Sequence, residues 1–513
     1  MKSGPIPFLF MALSAVVALQ PMAAADMPPS SPAAPQVLSL EDCLRVAMEK
    51  NRQRPASRFA VAMAEAQHRQ ALAGYWPQIT AKGGWTQLDQ APNFVFPASM
   101  MYVPSQTVNV PGGTTSVTIP ANAFGPGFPP SAVQMPVSFP GQSVTTTAQV
   151  FPIPEQNIKL ANPRNFEATG NMTWLLYDGG MRKGYREQGQ GAVAAAQADA
   201  RRTDLEITDS VVRLYWGALL ARELRQVGDD TLARMEVTLE LTDSMYRNGA
   251  GKVNKTDYLD TVVMVETIRS TVAELAKNEA AAEAALAYTI GLPWNATVRP
   301  SAEEVPYRPF AGNLDELAGT AYEFNPDWAK LEAGLKALDG AVTTARSDYY
   351  PKIAFTGELH RWWNSYTAGM ATADNRAGWS IGVGAEIPIF NGFLTKNKVA
   401  EALAQVGKLK EQKLLLREGI GLQLRELFLG LDAASKIYQA AEKAMVAARE
   451  NRDLTSRAYE SELVETEKVI RAQLFEALMI AQYDKARYDL VAIESQISLV
   501  VGKEIAGRLN PKP

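Results

Sequence analysis

Residues able to carry chemistry are few in this sequence, and their spacing argues against a reaction centre. His68 belongs to a helical pattern and His360 to the polar side of an alternating strand pattern, and neither has a second ligand at metal spacing. Gly249-Ala250-Gly251-Lys252 has the glycines and lysine that could cradle a phosphate, but it lacks the spacing and the Ser or Thr of a phosphate-binding loop. Cys43, the single cysteine, reads as an ordinary buried helix residue. The many Glu and Lys of the apparent helices read as solvated coiled-coil faces. No catalytic residue, cofactor or metal site is therefore expected, and an enzyme is the wrong class. A net charge of −4, from 51 basic and 55 acidic residues, gives no polycationic field and excludes nucleic acid as a partner.

With no chemistry to position, the elements themselves must carry the function. Lys2, an apolar run from Pro5 to about Gln20 and Ala23-Ala24-Ala25 before Asp26 read as a secretory signal peptide over residues 1–25. No later stretch reaches the roughly 18 apolar residues of a membrane-spanning helix. Cys43 lies well past the cleavage site, so no lipid anchor is expected.

An internal repeat organises the rest. An offset of 274 carries Leu40 onto Leu314, Ala47 onto Ala321, Asn51 onto Asn325, Tyr75 onto Tyr349, Pro77 onto Pro351 and Gly83 onto Gly357. Ser39 and Asn313 stand as helix N-caps, with Asp42 and Glu316 three residues on. An offset of 213 carries Trp174-Leu175-Leu176-Tyr177-Asp178-Gly179 onto Ile387-Pro388-Ile389-Phe390-Asn391-Gly392, so the first repeat holds 61 extra residues. The expected domains are repeat one (26–290), a Pro-rich linker (291–312), repeat two (313–502) and a tail (503–513). The extra sequence falls near 90–165, and residues 90–154 contain no Asp, Glu, Lys or Arg. Two readings apply: a disordered low-complexity loop, or an ordered external loop or cap that shelters Phe94, Phe96, Tyr102, Phe124 and Phe128. Val108-Asn109-Val110, Pro111-Gly112-Gly113 and Val117-Thr118-Ile119 predict a small hairpin inside it.

Four segments alternate apolar and polar residues: 79–86, 166–176, 353–360 and 379–387. Each is about the length of a tilted membrane strand, although a soluble sandwich alternates similarly. Four strands cannot close a membrane barrel, and an open edge in lipid is too costly, so membrane strands would have to be pooled between chains. Proline-free stretches 164–292 and 389–510 predict long helices. Met181–Tyr246 and Leu394–Tyr459 are 66 residues each, and shorter helices are expected from Asp42 to Tyr75 and from Thr256 to Ile290.

Leu38-Ser39-Leu40-Glu41-Asp42-Cys43-Leu44 through Asn51, the Tyr-Trp-Pro and Tyr-Tyr-Pro leads into strands, Trp174 to Gly180, and Glu386 to Gly392 together resemble the TolC-type outer-membrane efflux protein family. The repeat endings Thr289-Ile290-Gly291-Leu292-Pro293 and Val500-Val501-Gly502 resemble it too. The resemblance implies an α+β membrane protein. It would be a homotrimer with a twelve-stranded outer-membrane β-barrel, four strands per chain, continued by a long antiparallel α-helical coiled-coil barrel in the periplasm. Its implied partners are the lipid bilayer, a periplasmic adaptor (membrane fusion protein) and an inner-membrane pump, and its implied work is export.

In that family the helical turns touch the adaptor and close the tunnel. Carried over, the adaptor-contact residues are Arg247, Asn248, Gly249, Glu460, Ser461, Glu462 and Leu463, and the gate residues are Tyr246, Asp257, Asp260, Tyr459, Lys468 and Arg471. This chain departs from the pattern where Glu462 replaces a glycine and where Lys468 and Arg471 take positions often acidic in relatives. Rings of positive charge would attract anions, whereas pairing with Glu465 and Glu467 would make an ordinary solvated face. A duct for type I protein secretion and a periplasmic structural coiled coil remain as alternatives.

Overall fold

The computed structural model describes residues 35–91, 93–103, 106–110, 112–119, 133–138, 141–146, 149–159, 162–248, 253–307, 312–363 and 376–503. The signal peptide, Gly249, Phe124, Phe128 and the tail beyond residue 503 lie outside them. The contacts divide into two compact units that cut across the repeats, one of residues 1–70, 184–342 and 398–513 and one of 71–183 and 343–397.

The repeat recurs element for element. Helices α1 (Leu40–Lys50), α2 (Gln53–Ala73), α3 (Met181–Arg247) and α4 (Lys255–Thr289) of the first repeat answer to α5 (Leu314–Phe324), α6 (Pro326–Ser347), α7 (Leu394–Glu460) and α8 (Thr466–Val501) of the second. Both α3 and α7 have 67 residues, roughly 100 Å of helix at 1.5 Å per residue. No helix among the described residues is long and apolar enough to cross a membrane.

The expected single helix from Asp42 to Tyr75 is a correction, because it is two helices broken at Asn51. Asn51 leaves helical geometry (φ −61°, ψ 126°), its Oδ1 accepts the Gln53 N–H at 2.8 Å and its Nδ2 donates to the Thr289 carbonyl at 2.8 Å. Asn325 repeats this, accepting from Asp327 and Trp328 N–H and donating to the Val500 carbonyl at 2.8 Å. One amide thus caps a helix start and ties it to the end of a distant helix, which outweighs continued helix propensity. Close approach at this joint needs glycine: a Cβ on Gly291 (φ +84°) would fall 2.5 Å from the Lys50 carbonyl, and one on Gly502 (φ +77°) 2.3 Å from that of Phe324.

Each repeat has its own core in the first unit. Cys43 and Ala47 of α1, Val211, Tyr215 and Leu219 of α3 and Leu286 of α4 are buried together. Ala321 of α5, Ile420 and Leu424 of α7 and Leu490, Ile497 and Val501 of α8 form the second cluster. Beneath the first, strands β1 (Gln36–Leu38) and β12 (Val298–Pro300) pair in parallel.

In the second unit, β2 (Gln78–Gln87), β11 (Arg164–Tyr177), β13 (Lys352–Trp363) and β14 (Ala377–Glu386) make one antiparallel sheet in the order β14-β13-β11-β2. Strands β2, β11 and β13 contain the expected strands, and β14 ends one residue short of the expected Ile387. The registers put Trp85, Phe166 and Trp363 in one row, then Gly170 beside Leu359 and Leu359 beside Trp379, so the apolar residues of all four strands share a face. On that face Ile79, Trp85, Leu359, Trp379, Ile381 and Val383 are exposed. The opposite face carries Lys82, Glu167, Asn171, Thr356 and Glu358. Neither β2 nor β14 has a partner on its outer edge among the described residues.

Where it is described, the insert between β2 and β11 is mostly strand. Its outgoing arm is β3 (Asn93–Phe96), β4 (Ser99–Val103), β5 (Gln106–Val110) and β6 (Thr114–Ile119), and its returning arm is β7 (Val133–Ser138), β8 (Gln142–Thr146), β9 (Gln149–Ile153) and β10 (Gln156–Lys159). The pairs β3·β10, β4·β9, β5·β8 and β6·β7 nest in a single register. The small hairpin expected across Pro111-Gly112-Gly113 is therefore absent, since Val108 pairs with Val144 and Val117 with Met135. A turn there would satisfy only its own two strands and leave the returning arm without a ladder partner, so long-range pairing overrides the local signal.

Candidate functional site at the helical turns

At the first turn, α3 ends on Tyr246 and Arg247, and α4 begins with a complete capping box. Asn254 Oδ1 accepts the N–H groups of Thr256 (2.7 Å) and Asp257 (3.1 Å), and Asp257 Oδ2 accepts the Asn254 N–H at 2.9 Å. Asp257, expected at the gate, is thus engaged in its own helix start, while Asp260 is exposed. Tyr246 stacks on Tyr258 with ring centroids 6.0 Å apart. Arg247 pairs with Asp243 at 3.0 Å, and the Asn248 N–H donates to the Ser244 carbonyl.

The second turn closes differently. The Leu463 N–H donates to the Ala458 carbonyl at 2.8 Å and the Glu462 N–H to that of Tyr459 at 2.9 Å, with Glu462 at φ +56°. This is a Schellman cap, whose left-handed residue is usually glycine because a Cβ there costs about 1 kcal/mol. The same cap at the end of α4 has Gly291. The substitution of Glu462 for glycine leaves the turn's conformation in place. Glu460, Ser461 and Leu463 are exposed around it. Glu465 caps α8 without a side-chain hydrogen bond.

Tyr459 is 3% exposed, and its hydroxyl meets Thr242 Oγ1 at 2.8 Å and Thr466 Oγ1 at 3.1 Å. It joins the second turn to α3. Of the two expected gate cations, Arg471 is ion-paired with Glu467 one turn before it, and exposed Lys468 has no ion pair among the described residues.

Two separate segments, residues 142–292 and 317–503, match the family described as outer membrane efflux protein. The chain belongs to the outer membrane efflux protein family. Its fold is that of solved relatives at low identity. A membrane protein from Pseudomonas aeruginosa superposes with TM-score 0.67 at 16% identity, over 94% of this chain and 97% of that one. CusC gives 0.65 at 16% over 93% and 96%, and VceC, an outer membrane protein of Vibrio cholerae, 0.65 at 13% over 90% and 96%. Among curated proteins, none matches the chain at a significant level.

Further along the helices, this efflux protein carries buried polar ties between its repeats that its sequence did not announce. Gln473 Nε2 of α8 donates to Thr238 Oγ1 of α3 at 3.0 Å. Glu476, 2% exposed, lies 2.9 Å from Arg452 of α7 and 3.6 Å from Arg234 of α3. Ser495 donates to Asp209, which also holds Arg213. Glu223 of α3 is pushed up to about 7 by burial and by the nearby Asp484 of α8, and Asp484 is itself raised by burial although Arg487 opposes the shift. The only sequence signal for these ties was a polar residue interrupting an apolar stripe, which a solvated face produces equally well. No group of three or more His, Cys, Asp or Glu among the described residues could hold a metal ion.

Proposed function

We propose that three copies of this chain pool their strands into a twelve-stranded outer-membrane barrel, continued by their helices as a periplasmic tunnel, and that this duct is the exit channel of a tripartite efflux system. The observation that carries the reading is the four-stranded sheet, largely apolar and exposed on one face, polar on the other, and without an outer partner for either edge strand among the described residues. Open edges cannot stand in lipid, and identical copies remove them by pairing β14 of one with β2 of the next. The helices support the same assembly. Leu415, Leu422, Leu429 and Ile437 form an exposed apolar stripe along α7 at seven- to eight-residue spacing, the spacing of a helix that packs on a neighbour. Among relatives of the same fold, CusC is described in terms of transmembrane channel formation, and the OprN and CmeC structures are described as outer-membrane channels.

In this duct the turns would meet the adaptor through Arg247, Asn248, Gly249, Glu460, Ser461, Glu462 and Leu463, with an inner-membrane pump beyond it. Tyr246, Asp257, Asp260, Tyr459, Lys468 and Arg471 would line the closed end. With Arg471 neutralised by Glu467, Lys468 is the gate's cation without an ion pair among the described residues, set against Asp257 and Asp260 of the first turn, and an anion preference rests on it alone. Recording single channels of the purified protein in planar bilayers tests both parts. Conductance is expected, with selectivity moving from anion to cation in Lys468→Asp; no conductance removes the channel, and unchanged selectivity removes the charged gate. A type I secretion duct would share this architecture. Purifying the intact protein from envelopes with its bound partners separates the two, since an efflux duct brings down a small-molecule pump and a secretion duct a peptide exporter.

A further inference from the structure

The insert leaves the four-stranded sheet at Gln87 and Arg164, the strand ends opposite those that lead into α2 and α3, and continues as a two-stranded ribbon. The paired segments β3 to β6 of its outgoing arm sum to roughly 66 Å of strand at 3.3 Å per residue. Such a ribbon is marginal alone in water, more so without charge.

Its registers define the faces. Every ladder pair joins residues of equal parity, such as Phe94 with Ile158, Met100 with Pro152 and Tyr102 with Val150, so even-numbered residues share one face. Phe94, Phe96, Met100 and Val150 on that face are all exposed, Met100 to 80%, and the rings of Phe94 and Phe96 meet edge-on at 4.5 Å. The other face holds Asn93, Val95, Asn157 and Lys159 at the base, with Asn93 donating to Asn157 at 2.9 Å, and the register positions of Met101, Phe151 and Ile153 farther out, so the polar side is confined to β3·β10. The ribbon base is therefore amphipathic, and its apolar face has no cover in the described part of the chain.

Three features select the cover. Residues 90–154 hold no charged side chain, so the surface offers nothing to an anionic headgroup or a charged protein, yet identical copies can converge on it without like-charge repulsion. Pro136 and Pro152 stand inside paired strands, where proline fits only with its nitrogen turned away from the partner strand. That outer edge is interrupted, which disfavours extension by edge pairing and leaves the face as the contact. The ribbon also grows from the strand pair that includes β2, the edge strand without an outer partner among the described residues. In a trimer, the matching neutral surface beyond the barrel is another copy's ribbon.

We propose that the even-numbered face of this ribbon packs against the same ribbon of the other copies, forming an uncharged collar beyond the barrel. The proposal rests on the trimeric reading above.

The test uses the full chain in native envelopes with Cys43→Ser as background, since Cys43 is the only cysteine. Met100→Cys, and separately Phe94→Cys, are oxidised with copper–phenanthroline, and native mass spectrometry of the detergent-purified protein reports its copy number. Trimers whose Met100→Cys or Phe94→Cys chains form covalent dimers, while Asn157→Cys chains do not, support the collar. Adding Met100→Glu to Phe94→Cys should abolish the cross-link. Trimers without cross-links at either even-face site, equal cross-linking from Asn157→Cys, or adducts with a different protein overturn the collar and leave the barrel standing. A monomer overturns both.

Discussion

The turns between α3 and α4 and between α7 and α8 hold equivalent places in the two repeats, and different forces shape them. The first is closed by neighbours in sequence, through the Asn254–Asp257 capping box and the Tyr246–Tyr258 stack. The second has a strained cap residue, Glu462, and no side-chain cap on α8, and it is held instead by Tyr459 reaching Thr242 of the other repeat. Among the described residues the contacts of the first turn itself are local, and its tie to the other repeat is Thr242, one helical turn before Tyr246. The second turn can move away from α3 only by exposing buried hydrogen bonds, so it is the one expected to resist opening.

The contrast breaks hardest at Glu476, which holds arginines from both repeats. Glu476→Ala removes the buried carboxylate shared by the partly exposed Arg452 and Arg234, leaves Arg452 with Asp453 at 3.2 Å, and should cost about 2 kcal/mol in denaturant unfolding of the detergent-solubilised protein. A loss under about 1 kcal/mol would mean that solvent already screens the pair.

Acidity probes the same contact between α3 and α8. A carboxyl whose folded pKa is raised to about 7 binds its proton more tightly in the folded chain, so Glu223 should make stability fall as pH rises from its ordinary range through 7, then level off. Glu223→Gln should flatten that slope, read as the unfolding midpoint against pH. An unchanged slope would assign the effect elsewhere.

Tyr459→Phe should cost about 1–2 kcal/mol and raise the open probability of single channels, because two buried threonine hydroxyls lose their partner. Tyr246→Phe, whose ring only stacks, should stay within about 0.5 kcal/mol. Equal effects would erase the distinction between the turns. Smallest of all, Glu462→Gly should stabilise the protein by up to about 1 kcal/mol by relieving the left-handed backbone. Destabilisation would show that the Glu462 side chain has a compensating contact.

Much of the fold was legible in the residues. Helix lengths followed from proline-free runs, and the membrane-type sheet from period-two alternation, because both are local patterns with a fixed geometric repeat. The repeat even paired Asn51 with Asn325, but their function as joints was invisible, since the groups they bind, the Thr289 and Val500 carbonyls, are 238 and 175 residues away. The insert was misread for a related reason. Pro111-Gly112-Gly113 is a strong local turn signal, and only the complementary arm at 133–159 decides that the strands run past it.

By itself the sequence determined the family, the two-fold repeat, the lengths of α3, α4 and α7 and the alternating faces of the strands. Tertiary structure decided which residues at the turns are engaged. It placed Asp257 in a cap, paired Arg471 with Glu467, buried Tyr459 against Thr242 and left Lys468 without an ion partner among the described residues. The physical reason is range: periodicity and propensity act over a few residues, whereas capping choice, ion pairing and burial depend on which distant surface arrives opposite each side chain.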